Sequence, residues 1–136
     1  MKRWKMILLI FALGAVIIYF AVDFIHQRHI SEQREFTGKG ENWEVFSKLT
    51  SEGERKYHHH IEIKYLGSDN EINIREWKVQ SNGIATGGGD FMLDNHRVII
   101  SDDEIGTSSI QFEEQQFFIK WNDDNSEGFI LKIKEN

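Results

Sequence analysis

The chain has 136 residues and a mass of 16.0 kDa, which is enough for one domain and little more. It has no cysteine, which excludes disulfides, thiolate metal sites and a thiol nucleophile, and no proline, which excludes proline-rich ligands and stalks. The net charge is −6, but residues 1–22 carry three basic and no acidic side chains, so residues 23–136 carry 13 basic and 22 acidic ones, a net of −9 that argues against nucleic acid as a partner.

Met6 to Val22 is an uncharged, almost wholly apolar run of 17 residues. A helix needs about 17–25 such residues to cross the hydrocarbon layer. Phe24 and Ile25 extend the run if Asp23 reaches the headgroups, so residues 6–25 are predicted to form a transmembrane helix. Trp4 near one end and Tyr19 and Phe20 near the other suit the interfaces. Lys2, Arg3 and Lys5 lie in the basic tip, residues 1–5, ahead of the run, whereas the first basic residue after it is Arg28. That asymmetry predicts a cytoplasmic N-terminus and an extracellular C-terminal part. A cleaved signal peptide fits less well, because a cut after Ala21 would put Tyr19 where a small residue belongs. Residues 26–37 are polar and built of acceptable helix formers, so the membrane helix is expected to continue as a short helical stalk until Gly38 and Gly40 break it.

From residue 38 onward, period-two alternation replaces the apolar block, and turn signals recur along the chain. Trp43, Val45 and Leu49 share one face of a strand. Tyr57, His59, Ile61, Ile63 and Tyr65 share one face of the next, with His58, His60, Glu62 and Lys64 on the other. Ile72 and Ile74 are in phase with each other but not with Trp77 and Val79, which predicts a β-bulge near Arg75-Glu76. Gly87-Gly88-Gly89-Asp90 and Ser101-Asp102-Asp103 read as turns, and short strands are expected at Phe91–Leu93, Val98–Ser101 and Ser109–Phe112. Phe117, Ile119 and Trp121 alternate before the Asn122–Gly128 turn and Phe129, Leu131 and Ile133 after it, which predicts a closing hairpin. The fold class is all-β: an antiparallel β-sandwich over residues 38–136, whose two layers enclose Trp43, Trp77 and Trp121. A compact barrel is the alternative.

The element Gly38-Lys39-Gly40-Glu41-Asn42-Trp43, the stretch Ile63-Lys64-Tyr65-Leu66-Gly67 and the final hairpin resemble a group of small, uncharacterised envelope proteins of Gram-positive bacteria. These have a membrane anchor or lipoprotein signal and one β-sandwich domain opening with Gly-x-x-x-Asn-Trp. The chain departs from the lipoprotein members in having no cysteine. The resemblance implies a location and a fold. It brings no activity and no catalytic residues.

Most of the chemical constellations have a plainer explanation. On a strand His58 and His60 point the same way, about 6–7 Å apart, with Glu62 next on that face, a pattern able to offer three ligands to zinc or copper. One strand cannot close such a site alone. His59 falls on the apolar face and is expected to be a hydrogen-bonded core residue. Asp123-x-Asn125-x-Glu127-Gly128 imitates a calcium loop, but Lys134 stands where the bidentate acid belongs. Gly87-Gly88-Gly89 is not followed by the Lys-Ser/Thr of a phosphate loop, and no Gly-x-Ser-x-Gly elbow occurs. The expectation is therefore a non-enzymatic, membrane-anchored binding module without cofactor, its partner another envelope protein or a second copy of itself. The alternative is a metal-binding or metal-sensing domain using His58, His60 and Glu62.

Overall fold

The computed structural model describes residues 14–22, 32–53, 55–107 and 110–135. The chain divides into two compact units, Met1–Ile30 and Ser31–Asn136. In the first, residues 14–22 form a helix, α1, whose large apolar side chains are 52–71% exposed. Among the described residues no helix is long and apolar enough to cross a membrane. The basic tip, the rest of the expected transmembrane helix (6–13 and 23–25) and stalk residues 26–31 lie outside the described residues.

The second unit is antiparallel β-sheet throughout. Its strands are β1 Gln33–Lys39, β2 Trp43–Gly53, β3 Lys56–Tyr65, β4 Asn73–Ser81, β5 Ile84–Gly88, β6 Phe91–Met92, β7 Val98–Gly106, β8 Glu114–Trp121 and β9 Asn125–Ile133. The expected helical stalk is overturned over its last residues, and the domain starts before residue 38. Gln33 to Lys39 pair with β2 from Gln33↔Thr50 to Lys39↔Glu44. Helix propensity is a weak preference here, and seven backbone pairings plus complete burial of Phe36 outweigh it. The Phe36 ring stacks on Phe112, centroids 5.4 Å apart.

Alternation places the core as the sequence predicts. Trp43, Val45 and Leu49 of β2, Tyr57, His59, Ile61, Ile63 and Tyr65 of β3, and Phe117, Ile119 and Trp121 of β8 are all buried. The bulge falls where the phase break requires it: β4 pairs β8 through Ile74↔Trp121 and then Glu76↔Lys120, leaving Arg75 as the extra residue. Ile74 and Trp77 are thereby both turned inward. Asn82 and Gly83, with φ of 38° and 85°, make the two-residue turn that joins Ser81 to Ile84.

Four local expectations change. The turn expected at Asn122–Gly128 is confined to 122–124, because β9 begins at Asn125 and pairs with β8 from Trp121↔Asn125 through Phe118↔Gly128. Ser101-Asp102-Asp103 is the middle of β7, held to β3 by pairs running from Lys56↔Gly106 to Lys64↔Val98. Gly87 and Gly88 end a strand, because β5 pairs Trp77↔Gly88 and Lys78↔Gly87. Residues 110–112 are not a strand. They make a tight turn in which Phe112 N–H donates to the Ile110 carbonyl at 2.9 Å, and both side chains are buried. Ser109 lies outside the described residues.

All nine strands among the described residues belong to one sheet, in the order β5-β4-β8-β9-β1-β2-β3-β7, with β6 also on β4. The expected layers are thus parts of a single curled sheet, a barrel- or sandwich-like arrangement around one core. Thr86 of β5 hydrogen-bonds His59 of β3 across the interior at 3.1 Å. The two ends of the sheet, β5–β6 and β7, face each other across a cleft of about 500 Å³.

Glycine 89 marks a close approach behind that cleft. A Cβ there would overlap the Arg75 carbonyl oxygen at the bulge and lie 3.1 Å from the Glu76 Cα. Both are backbone atoms and cannot rotate away. Gly89→Ala is therefore expected to destabilise the fold by about 1–3 kcal/mol, read as a lower urea midpoint with an unchanged slope.

Candidate functional site

The outward face of β3 carries the densest group of titratable side chains with mutual contacts. Alternation turns His58, His60 and Glu62 outward, and the β3–β7 register sets Asp102 opposite His60 and Glu104 opposite His58. Asp102 Oδ1 is 3.0 Å from His58 Nε2 and 2.6 Å from His60 Nδ1. His60 Nε2 is 3.0 Å from Glu62 Oε1. On the other side, Lys48 of β2 is the register partner of His60, and the Phe46 ring lies 6.5 Å from the imidazole.

His60 is thus bracketed by two carboxylates, one on each ring nitrogen. That geometry suits an imidazolium donating from both nitrogens. Its pKa is raised, first by the Glu62 hydrogen bond and then by that of Asp102, with burial opposing. The Asp102 carboxyl is correspondingly held below its ordinary value, first by the His60 hydrogen bond. A raised histidine pKa adds stability that is fully present below the unfolded-state value and is lost as pH rises through the folded-state value. Asp102→Asn and Glu62→Gln are each expected to lower the His60 pKa, because each removes a hydrogen bond and a negative charge that favour the imidazolium. Imidazole proton shifts followed by NMR against pH check both drops, and an unmoved titration in both variants would contradict the bracket.

The sequence placed His58, His60 and Glu62 together and missed Asp102. Its segment reads as a turn, and nothing local indicates that β7 lies beside β3. Among the described residues no group of three or more histidine, aspartate or glutamate side chains is arranged to hold a metal ion. A metal takes the unprotonated nitrogen of an imidazole, and both nitrogens of His60 face a carboxylate that favours the proton.

The inner face of β3 holds a second polar group. His59 is fully buried, with Nε2 2.9 Å from Ser47 Oγ and Nδ1 3.1 Å from Thr86 Oγ1. A neutral imidazole has one donor and one acceptor nitrogen, and the two hydroxyls satisfy both. Burial pushes the His59 pKa down from 6.5 to about 4, against the opposing charge of Asp103, its register partner on β7. A serine beside a histidine suggests a nucleophile and its base. Here the serine is fully buried, and the other ring nitrogen meets a hydroxyl where a triad has a carboxylate. This is the hydrogen-bonded core histidine that the sequence predicts.

The remaining motifs disperse. Asp123 pairs with Arg75, Nε to Oδ1 at 2.6 Å, and Glu127 accepts the Asn42 N–H at 3.0 Å, so these two acids of the calcium-like segment serve different partners. The Asp102 and Asp103 carboxylates face opposite sides of β7. In a cleft of about 760 Å³ over the β4–β5 turn, Gln80 donates to Gln116 at 3.0 Å and Ser81 donates to the Glu114 carbonyl at 3.2 Å. No protein-family model matches the chain, and no curated protein matches it either.

Proposed function

We propose that the protein is a non-enzymatic, single-pass envelope protein. In this reading residues 6–25 anchor it, the N-terminus stays in the cytoplasm, and the β unit is a two-layered binding module outside the cell. One observation carries the reading. The apolar side chains of α1, among them Ile17, Ile18 and Phe20, are more than half exposed along a helix inside a longer uncharged run. Burying a side chain of this size is worth about 1.5–3 kcal/mol, and a membrane interior supplies that burial without a protein core. The resemblance to anchored envelope proteins supports the same arrangement, as does the acidic charge of everything after the run. An acidic domain is repelled by an anionic membrane surface and stays clear of the headgroups.

Two measurements test the proposal. Carbonate extraction of cells expressing the full chain should leave it in the membrane pellet. Protease added to intact cells should remove a tag at the C-terminus. Release into the carbonate supernatant would refute the anchor, and a tag that survives until the cells are broken would refute the orientation.

A further inference from the structure

The curled sheet stops short of closing. Among the described residues β7 pairs only with β3, and β5 and β6 pair only with β4, so each end of the sheet keeps a row of backbone donors and acceptors without strand partners. Gly88, Phe91 and Met92 at one end and the first four residues of β7 at the other border the same cleft of about 500 Å³. Met92 on one bank and Ile100 on the other are 56% and 62% exposed, the only large apolar side chains of β6 and β7 turned so far into solvent. An edge strand of nine residues is long, and a free edge is a template for another strand whose charge its own side chains tolerate.

Charge selects the kind of strand. Asp94 lines the cleft, and Asp102, Asp103 and Glu104 continue along β7; on the β3 side, away from the free edge, Asp102 meets His58 and His60 and Glu104 meets Lys56, all at exposed or half-buried positions. The cation nearest the start of β7, Arg97, is already engaged: it donates to the Gly67 carbonyl at 2.6 Å and the Asp69 carbonyl at 3.1 Å. A second copy of the chain would bring the same acidic run to the same edge. We propose that the seam between β7 and β5–β6 binds an extended, cationic segment of a partner protein by strand addition, its backbone pairing with the free edge and its apolar side chains covering Met92 and Ile100. This names the contact surface and partner class of the binding module proposed above and rests on that reading.

The probe is a dye-labelled peptide of about ten residues, the length of a long strand, alternating lysine and valine. Binding to the full chain in non-ionic detergent is followed by anisotropy. Saturable binding is expected, weakened by salt, and reduced about tenfold or more when alternate valines are N-methylated or when Met92→Lys and Ile100→Lys are introduced together. Amide exchange over residues 98–106 should slow when the peptide is added. Absence of saturable binding, equal binding of the N-methylated or of a glutamate–valine peptide, or indifference to the double substitution would overturn the assignment. Amide protection of β7 that rises with protein concentration alone would overturn it in favour of a second copy. Both substitutions are at exposed positions, so circular dichroism separates a lost surface from a lost fold. Failed peptide binding by a chain that still resists carbonate extraction and is still cleaved from outside overturns the seam assignment and leaves the location standing.

Discussion

Acidification from pH 7 to pH 4 is expected to remove about 3 kcal/mol of folding stability through His59 alone, because its pKa falls from 6.5 to about 4 on folding. Between those two values the unfolded chain binds a proton at this position and the folded chain does not. Stability therefore rises with pH across the window. The contribution is fully present above 6.5, erodes as pH falls toward 4, and levels off once the folded imidazole also protonates. The physical cause is the burial of the ring between Ser47 and Thr86, two hydroxyls that satisfy a neutral imidazole but leave an imidazolium without a carboxylate partner at hydrogen-bond distance. Asp103 across the ladder offsets only part of this penalty. His60, one residue on, works in the opposite sense. Its pKa is raised, so it gives stability in acid and loses it as pH climbs. The wild-type pH profile is the sum of these contributions, and a substitution separates them. His59→Gln removes the buried titration, so its urea midpoint should fall less between pH 7 and pH 4.5 than that of the wild type, measured on the full chain in non-ionic detergent. A variant that falls as steeply as the wild type would show that His59 is not the buried titrating group.

The two histidines illustrate what could be read before the strands were paired. Alternation at period two decides which face a residue takes, so His59 reads as core and His58, His60 and Glu62 as surface from β3 alone. The same rule places the Arg75 bulge, since Ile74 and Trp77 cannot both turn inward without an extra residue. Elements with weak or misleading local signals are lost. Gln33–Lys39 has one large apolar side chain, Phe36, and is a strand because β2 and β9 lie on either side of it. Gly87 and Gly88 look like a turn and are strand, because they pair with β4 so closely that a side chain at Gly87 would overlap the Trp77 carbonyl oxygen. Asp102 looks like part of a turn because three acids in a row suit a solvated loop. They also suit an exposed sheet edge, where charge discourages unwanted pairing. Its contact with His60 spans 42 residues, and no periodicity within either strand encodes that register.

Trp43→Ala is expected to cost about 3–5 kcal/mol, the largest effect of any single core truncation proposed for this fold. The indole is fully buried, tilted against Tyr65 at 4.9 Å and edge-on to Trp121 at 5.5 Å between ring centroids. It links β2 and its neighbour β3 to β8, which β9 and β1 separate from β2 in the sheet, so its removal leaves a cavity between distant parts of the curled sheet. Trp43→Phe should cost far less, about 1–2 kcal/mol, for a reason beyond its larger volume. The Trp43 Nε1 is buried with no hydrogen-bond partner among the described residues. A phenyl ring keeps much of the aromatic contact with Tyr65 and Trp121 and abolishes that unsatisfied donor. Urea midpoints of the two variants measure the difference. A Phe variant as unstable as the Ala variant would mean that the indole N–H is satisfied in solution and that its hydrogen bond holds this corner of the core together alongside the ring's packing.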